Sequence, residues 1–273
     1  MDKYFLTKDS IQLRYREDYV SNPIAIVILV HGFAEHIERY NYITKKLNQN
    51  NISVFRYDAR GHGLSTGKMG DMKSYKEMVD DLYEIVRFVI DNNENIKIFT
   101  LGHSMGGNIS ANFGIKFPNT LNGQLFSGGA FGYFYDVPRI KKQFLKMASK
   151  IFSKVYINNP VSENISSDKN IVESYKNDPL VINKATLRFM REFTIKASEN
   201  IFNNISKYYY PCFLGHGGDD KVISKEASKR FYNEISSSDK TLKIYNSLYH
   251  ELFNEPTKDM VIRDYVNWIR QRI

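Results

Sequence analysis

The segment from Ile24 to Val30 is apolar at all seven of its positions. A strand with one face in water alternates apolar and polar side chains, so a continuous apolar run predicts a strand that is covered on both faces. Covered strands of this kind are typical of parallel sheets flanked by helices. The run is far shorter than the ~20 residues that a membrane-spanning helix needs. We therefore interpret it as the central strand of an α/β sheet.

Strand and helix patterns alternate along most of the chain. After a hairpin predicted within residues 4–15, strands are predicted at 52–57, 96–101, 124–127, 211–214 and 242–245, and helices at 40–48, 74–92, 104–117, 224–235 and 260–272. Between 131 and about 185 there are helical patterns but no obvious strand, which indicates an insertion. The alternation predicts an α/β fold, a mostly parallel central sheet with helices on both faces. We divide it into a core over 1–130, a helical cap insertion over 131–185 and a second core part over 186–273.

The pattern Gly-x-Ser-x-Gly, which can hold a nucleophilic serine on a tight strand-to-helix turn, occurs twice. Around Ser65 neither a strand before the pattern nor a helix after it is predicted. Around Ser104 the pattern follows the strand predicted at 96–101 and opens a helix. We therefore predict that Ser104 is a nucleophile, and a serine that merely caps the following helix is the alternative.

A serine nucleophile needs a histidine base and a carboxylate that orients it, in the chain order Ser, acid, His in α/β-hydrolase sheets. His250 follows the last predicted strand and is the expected base, whereas His216 precedes the acid position. Asp219 and Asp220 both fit the acid position, and spacing does not separate them. The backbone amides of Phe33 and Met105 are the expected donors to the oxyanion.

Six stretches follow one another in the order of a known family. They are His31-Gly32-Phe33-Ala34-Glu35-His36 with Arg39-Tyr40, Tyr57-Asp58-Ala59-Arg60-Gly61-His62-Gly63-Leu64-Ser65, Gly102-His103-Ser104-Met105-Gly106-Gly107, Asn177-Asp178-Pro179-Leu180, His216-Gly217-Gly218-Asp219-Asp220, and Asp239-Lys240-Thr241-Leu242-Lys243-Ile244-Tyr245 with Tyr249-His250-Glu251. Together they resemble the monoacylglycerol lipase and lysophospholipase group of the α/β-hydrolase fold.

The resemblance implies a catalytic triad of Ser104, Asp220 and His250, a helical cap over residues 131–185, and single-chain acyl lipids as substrates. It implies an enzyme that hydrolyses carboxylic esters and does not separate monoacylglycerols from lysophospholipids. A short-chain carboxylesterase, or an amidase or peptidase on the same scaffold, is the alternative within enzymes. A non-catalytic binding protein is the alternative from another class.

The net charge of +8 is concentrated in one segment. Positions 131–159 hold six basic residues and one acidic residue, which is +5 of the total. Within this segment the predicted cap helix has a lysine stripe and an apolar side. The stripe is Lys142, Lys146, Lys150 and Lys154, and the apolar positions are Ile140, Phe144, Ala148, Ile151 and Val155, with Met147 and Phe152 beside them. Such a helix can lie on an anionic membrane or micelle, or its apolar side can pack on the core.

No nucleic-acid partner is expected, because the basic charge is local rather than spread along the chain. No cofactor is expected, since the glycine-rich phosphate and dinucleotide patterns are missing from the sequence. No metal is expected either, because Asn254 stands where a His-Glu-x-x-His zinc pattern needs its second histidine. A single cysteine, Cys212, and the lack of a secretory signal pattern predict a cytoplasmic protein with peripheral membrane contact.

Overall fold

A computed structural model describes residues 2–132, 139–159 and 163–273, except the side chains of residues 139–142 and 144. The strands within this part of the chain are β1 Lys3–Leu6, β2 Gln12–Asp18, β3 Ala25–Val30, β4 Ile52–Tyr57, β5 Lys97–His103, β6 Gly123–Ser127, β7 Tyr156–Asn158, β8 Lys184–Thr186, β9 Cys212–Gly217 and β10 Lys240–Tyr245. Each strand predicted from the sequence is present, with bounds that move by up to three residues.

Helices alternate with these strands. The α-helices are α1 Asn41–Asn48, α2 Tyr75–Asp91, α3 Met105–Lys116, α4 Arg139–Ile151, α5 Lys169–Asn177, α6 Leu187–Arg191, α7 Ser198–Asn203, α8 Lys225–Glu234 and α9 Lys258–Arg270. Short 3₁₀ helices cover Ile37–Tyr40, Ile205–Lys207 and Leu252–Asn254, and a π-helix covers Glu192–Ala197 between α6 and α7. The side chain of Ser74 caps α2 by accepting a hydrogen bond from the Lys76 amide.

Among the described residues, eight strands form one sheet in the order β1-β2-β4-β3-β5-β6-β9-β10. Strands β1 and β2 form the predicted antiparallel hairpin, and β2 pairs antiparallel with β4. From β4 to β10 every neighbouring pair is parallel. The carboxyl ends of β3, β5, β9 and β10 therefore meet at one edge, which is where ligands bind in open parallel sheets.

The central strand β3 is buried on both faces, as its apolar sequence predicts. Ile26, Ile28 and Val30 belong to one hydrophobic cluster, which also includes the buried residues of α2. Ala25, Val27 and Leu29 belong to a second cluster, with α1 and α9. Side chains alternate across a strand, so these two sets lie on opposite faces of the sheet. The α/β fold class predicted from the sequence is confirmed.

The expectation of an insertion without strands is wrong. β7 and β8 pair antiparallel as a two-stranded sheet, with Ile157 opposite Ala185. These strands are short, and polar residues interrupt the alternation by which a longer strand is recognised in a sequence. β8 also crosses the proposed boundary at residue 185, because it extends to Thr186. The amides of Leu187 and Arg188 donate to the carbonyls of Val155 and Ser153, so α6 continues this unit.

Candidate active site

Ser104 lies at the turn between β5 and α3. Its backbone has φ +50° and ψ −113°, a conformation that non-glycine residues rarely adopt. Strained backbone of this kind persists where the surrounding structure imposes it, often at functional sites. The Ser104 side chain makes no capping hydrogen bond to α3. The alternative that Ser104 merely caps the helix is therefore not supported by the geometry.

Gly106 permits this turn to lie close to β3. A Cβ atom at position 106 would lie 2.0 Å from the carbonyl oxygen of Val30, which is backbone and cannot rotate away. The second glycine of the Gly-x-Ser-x-Gly pattern is thus required by the approach of α3 to the sheet. Ser65, in the other copy of the pattern, instead donates to the Asp58 carbonyl at 2.6 Å and accepts from the Arg14 amide at 2.8 Å. Both hydrogen bonds of the Ser65 hydroxyl go to the backbone, so this serine has a structural role.

His250 and Asp220 are joined by a short hydrogen bond. Nδ1 of His250 donates to Oδ2 of Asp220 at 2.7 Å, and both side chains are buried. The other oxygen of Asp220 accepts from the amides of Val222 and Ile223 at 2.8 and 2.9 Å. Asp219 is exposed. The geometry therefore separates the two aspartates that spacing left equivalent.

His216 supports the same carboxylate, a contact that the sequence did not predict. Its Nε2 lies 3.1 Å from Oδ2 of Asp220 and 3.0 Å from the Ile223 carbonyl, while Nδ1 bonds to Ser228. Burial raises the pKa of Asp220, but His250 and His216 outweigh burial and hold that pKa well below 3.8. Asp220 is therefore ionised across the neutral pH range.

The ring of His250 is oriented with one nitrogen toward the acid. Burial lowers its pKa, but the charge and hydrogen bond of Asp220 outweigh burial, so the pKa lies above the usual 6.5. Its Nε2 is buried and has no hydrogen-bond partner among the described residues. His250 and Ser104 line the same cavity. An unpartnered, buried ring nitrogen at a cavity that a serine also lines is the arrangement expected of a general base before substrate binds.

A small cavity lies over Ser104. It is lined by Gly32, Phe33, Glu35, His103, Ser104, Ile165, Tyr175, Phe193, His250 and Glu251. Its volume of about 10 Å³ holds at most about one water molecule, far less than an acyl chain requires. Of the described residues that line it, none is a lysine or arginine.

Three residues that the sequence does not single out also line the cavity. Ile165, which precedes α5, and Tyr175 on α5 lie within residues 131–185, the segment predicted as the cap, whereas Phe193 lies outside it on the π-helix Glu192–Ala197. π-helical turns occur often at functional sites, and here the turn carries an aromatic side chain into the cavity. The sequence around Phe193 holds no signal that distinguishes a π-helix from an α-helix.

The loop after β3 contributes Phe33 to the cavity. Glu35 accepts a hydrogen bond from the Gly32 amide at 2.7 Å and one from the Tyr40 hydroxyl at 2.6 Å. Arg39 donates to the other oxygen of Glu35 at 3.1 Å. These contacts fix the loop whose Phe33 amide is the expected oxyanion donor. Met105 is the first residue of α3, and amides of the first turn lack an intrahelical acceptor.

The fold of this chain is similar to that of solved protein structures. The crystal structure of the monoacylglycerol lipase of Paleococcus ferrophilus superimposes with a TM-score of 0.86 at 25% identity, covering 96% of this chain and 99% of that chain. The chain has the α/β-hydrolase fold. The sequence model of the family described as "Serine aminopeptidase, S33" matches residues 21–257. The chain therefore belongs to this family of serine hydrolases.

Curated relatives are similar over nearly the whole chain. The monoacylglycerol lipase of Mycolicibacterium smegmatis is 29% identical over 249 residues, which cover 91% of this chain and 89% of the relative. Phospholipase YtpA of Bacillus subtilis is 26% identical over 249 residues, covering 88% and 93%. The resemblance to the monoacylglycerol lipase and lysophospholipase group is confirmed. Within the described parts of the chain, no helix is long and apolar enough to cross a bilayer.

Proposed function

We propose that this protein hydrolyses the acyl ester of single-chain lipids through an acyl-enzyme on Ser104. The observation that carries the proposal is that Ser104, on a strained turn, and His250, with an unpartnered Nε2, line one cavity, while Asp220 is bonded to Nδ1 of His250. Its relatives include a monoacylglycerol lipase and a phospholipase, which supports a lipid ester as the substrate.

In the first half-reaction, Oγ of Ser104 attacks the ester carbonyl carbon and its proton passes to Nε2 of His250. The carbonyl oxygen becomes an oxyanion, to which the amides of Phe33 and Met105 donate. The ester C–O bond then breaks, and His250 gives its proton to the departing alcohol. Asp220 remains ionised and stabilises the imidazolium.

In the second half-reaction, water attacks the acyl-enzyme. Nε2 of His250 removes a proton from the water while the new C–O bond forms. The bond between the carbonyl carbon and Ser104 Oγ then breaks, and Ser104 recovers its proton from His250. The products are a fatty acid and the restored enzyme. No metal or cofactor takes part in this scheme.

An uncharged head group suits the cavity better than a phosphate. Glu35 and Glu251 line it, and the neighbouring Arg39 already pairs with both carboxylates. A phosphate beside buried carboxylates, without a cation of its own, meets unfavourable charge. We therefore propose monoacylglycerols as the preferred substrates over lysophospholipids, with residues 131–185 forming the cap over the acyl-binding side.

An aminopeptidase activity, which the family's description names, is less well supported. Recognition of a peptide amino terminus requires a carboxylate available to bind the ammonium group. Glu35 is engaged by Gly32, Tyr40 and Arg39, and Glu251 is engaged by Arg39 and Asn254. Their oxygens already accept hydrogen bonds within the protein, so neither carboxylate is available to an ammonium group. An ester substrate needs no such group.

The exposed surface of the cap supports contact with lipid aggregates. Met147, Ile151, Phe152 and Val155 are 61, 71, 57 and 48% exposed, which at these four positions favours the alternative of a lipid-facing side over packing on the core. Lys150 and Lys154 are exposed beside them, and Lys146 pairs with Glu199 on α7. Ile140, Lys142 and Phe144 lie outside the described side chains. An apolar patch bordered by lysines suits the surface of an anionic membrane or micelle.

A substrate panel tests the proposed function. The purified protein is assayed with monoacylglycerols and lysophosphatidylcholines of matched chain, with p-nitrophenyl esters from C4 to C16, and with an aminoacyl p-nitroanilide. We expect the highest kcat/KM on a long-chain monoacylglycerol and no turnover by Ser104→Ala. A maximum at C4 would indicate a short-chain esterase, and preference for the anilide would indicate a peptidase; either result contradicts the proposal.

A further inference from the structure

We infer that Arg39 and Glu251 form a positioning pair that holds the loop of the base, His250, against the loop of the oxyanion donor, Phe33. The inference rests on the proposed function, because it assigns these two loops to catalysis. Neither side chain performs a chemical step. Their effect is exerted through the groups that they hold.

In the loop that carries the base, the residue of the pair is Glu251, which directly follows His250. Nη2 of Arg39 donates to both carboxylate oxygens of Glu251, at 2.8 and 2.6 Å. Asn254 donates to the same carboxylate at 2.7 Å. The Glu251 amide donates to the Ile165 carbonyl at 2.7 Å, so the segment before α5 also contacts this loop. The backbone that carries His250 is thus held from two directions.

The same guanidinium also contacts the loop that carries Phe33, because Arg39 binds Glu35 of that loop. Arg39 Nε donates to Glu35, whose other oxygen accepts the Gly32 amide next to Phe33. A continuous chain of contacts therefore runs from Gly32 through Glu35 and Arg39 to Glu251. Gly32, at one end, directly precedes the proposed oxyanion donor Phe33, and Glu251, at the other end, directly follows the proposed base His250. The two loops are otherwise far apart in the chain, by more than 200 residues.

The environment of the pair makes this bridge rigid. Arg39, Glu35 and Glu251 are nearly inaccessible to solvent, so water does not compete for their hydrogen bonds. The ring of Tyr175 lies 4.7 Å from the guanidinium and covers it from the cap side. Removal of either carboxylate would leave the buried guanidinium of Arg39 without one of its two partners, which strongly destabilises the folded protein. The folded state therefore favours the conformation in which all three groups stay in contact.

This arrangement predicts an effect on turnover rather than on binding. Loss of the bridge changes the separation between Nε2 of His250 and the oxyanion donors, and a displacement of about 1 Å costs up to about 100-fold in rate. Arg39 does not line the cavity over Ser104, so its replacement should remove no contact with a substrate bound there. The expected signature is therefore a lower kcat at nearly unchanged KM.

The test is a double-mutant cycle on kcat for p-nitrophenyl butyrate. It is run at a pH well above 7, because burial raises the pKa of Glu251 to about 7. We expect Arg39→Gln and Glu251→Gln each to lower kcat about 10- to 100-fold, with KM within about threefold. The double variant should lose no more than the more impaired single variant, because each change breaks the same bridge.

The matched control is a buried arginine–carboxylate pair elsewhere. Arg60 Nε donates to Asp81 on α2 at 2.6 Å, and both side chains are buried. Arg60→Gln and Asp81→Asn should lower the melting temperature and leave kcat within about twofold. If either glutamine variant at the bridge does not fold, Arg39→Lys and Glu251→Asp replace it in the same cycle.

Two results would overturn the inference: folded bridge variants with wild-type kcat, or a double variant whose loss is the product of the single losses. Ser104→Ala separates this failure from that of the proposed function. Turnover by Ser104→Ala contradicts the proposed function itself. An inactive Ser104→Ala variant together with additive losses at the bridge contradicts only the positioning pair.

Discussion

Oδ2 of Asp220 accepts a 2.7 Å hydrogen bond from Nδ1 of His250, whereas Asp219, one residue earlier, is exposed. Asp220→Asn should therefore lower kcat about 10³- to 10⁴-fold, because an amide neither stabilises the imidazolium nor fixes the ring tautomer. Asp219→Asn, which changes charge by the same amount, should leave kcat within about twofold. Steady-state rates on one ester measure both. The reverse ranking would exclude Asp220 as the acid.

The pH profile of kcat/KM should report the ionisation of His250. Its pKa lies above 6.5, so activity should be full above that pKa and fall as the pH falls through it, because the protonated ring is no base. The charged and titratable groups around the ring are Asp220, Glu251, Glu35 and His103. Burial lowers the pKa of His103 to about 4, so His103 remains neutral throughout this range.

In Asp220→Asn the acid limb should move to lower pH, because the carboxylate that raises the pKa of His250 is gone. Asp219→Asn provides the comparison, since it removes an exposed carboxylate that does not contact the ring. An acid limb that stays in place in Asp220→Asn would show that another group controls the profile.

Gly106→Ala should destabilise the protein and displace the serine turn. The added Cβ would overlap the Val30 carbonyl, and relief requires α3 to move away from β3. Overpacking of this kind costs about 1–3 kcal/mol or more. Thermal and urea unfolding measure the loss of stability, and the rate of reaction with an alkyl fluorophosphonate measures the displacement of Ser104. Gly132→Ala is the control, since its nearest contact is a side-chain atom 3.2 Å away. Equal stability of the Gly106→Ala and Gly132→Ala variants would contradict the close approach of α3 to β3 at Gly106.

The cap surface should bind lipid through its apolar patch. Replacing Met147, Ile151 and Phe152 by Ser should weaken sedimentation with anionic vesicles and lower the rate on vesicle-borne monoacylglycerol, while the rate on p-nitrophenyl butyrate stays unchanged. The control replaces Tyr4 and Leu6, which are also exposed but lie on the edge strand β1. If the cap and edge variants sediment alike, the patch has no part in membrane contact.

The parts of the fold predicted from the sequence are those with a strong local pattern. The apolar run at 24–30 predicts a strand buried on both faces, and β3 is one. The helix predicted at 74–92 is present as α2, with bounds that differ by one residue at each end. The turn at Ser104 is predicted because a glycine pattern lies between a strand and a helix. His250 is predicted as the base because it follows the last strand that the sequence predicts.

The other features depend on contacts between distant segments. Nothing local shows that β7 and β8 pair, or that the helix after α6 changes its hydrogen-bond register before Phe193. The bridge between Glu35, Arg39 and Glu251 joins positions more than 200 residues apart, so spacing does not reveal it.

The most direct test of the account is the site at which an alkyl fluorophosphonate labels the protein. Peptide mass spectrometry after labelling should find one modified residue, Ser104, and the Ser104→Ala variant should remain unlabelled and inactive on monoacylglycerol. The reagent reacts only with a serine activated by a base, so labelling reports the nucleophile itself. A label on another residue, or turnover of monoacylglycerol by Ser104→Ala, would contradict the account.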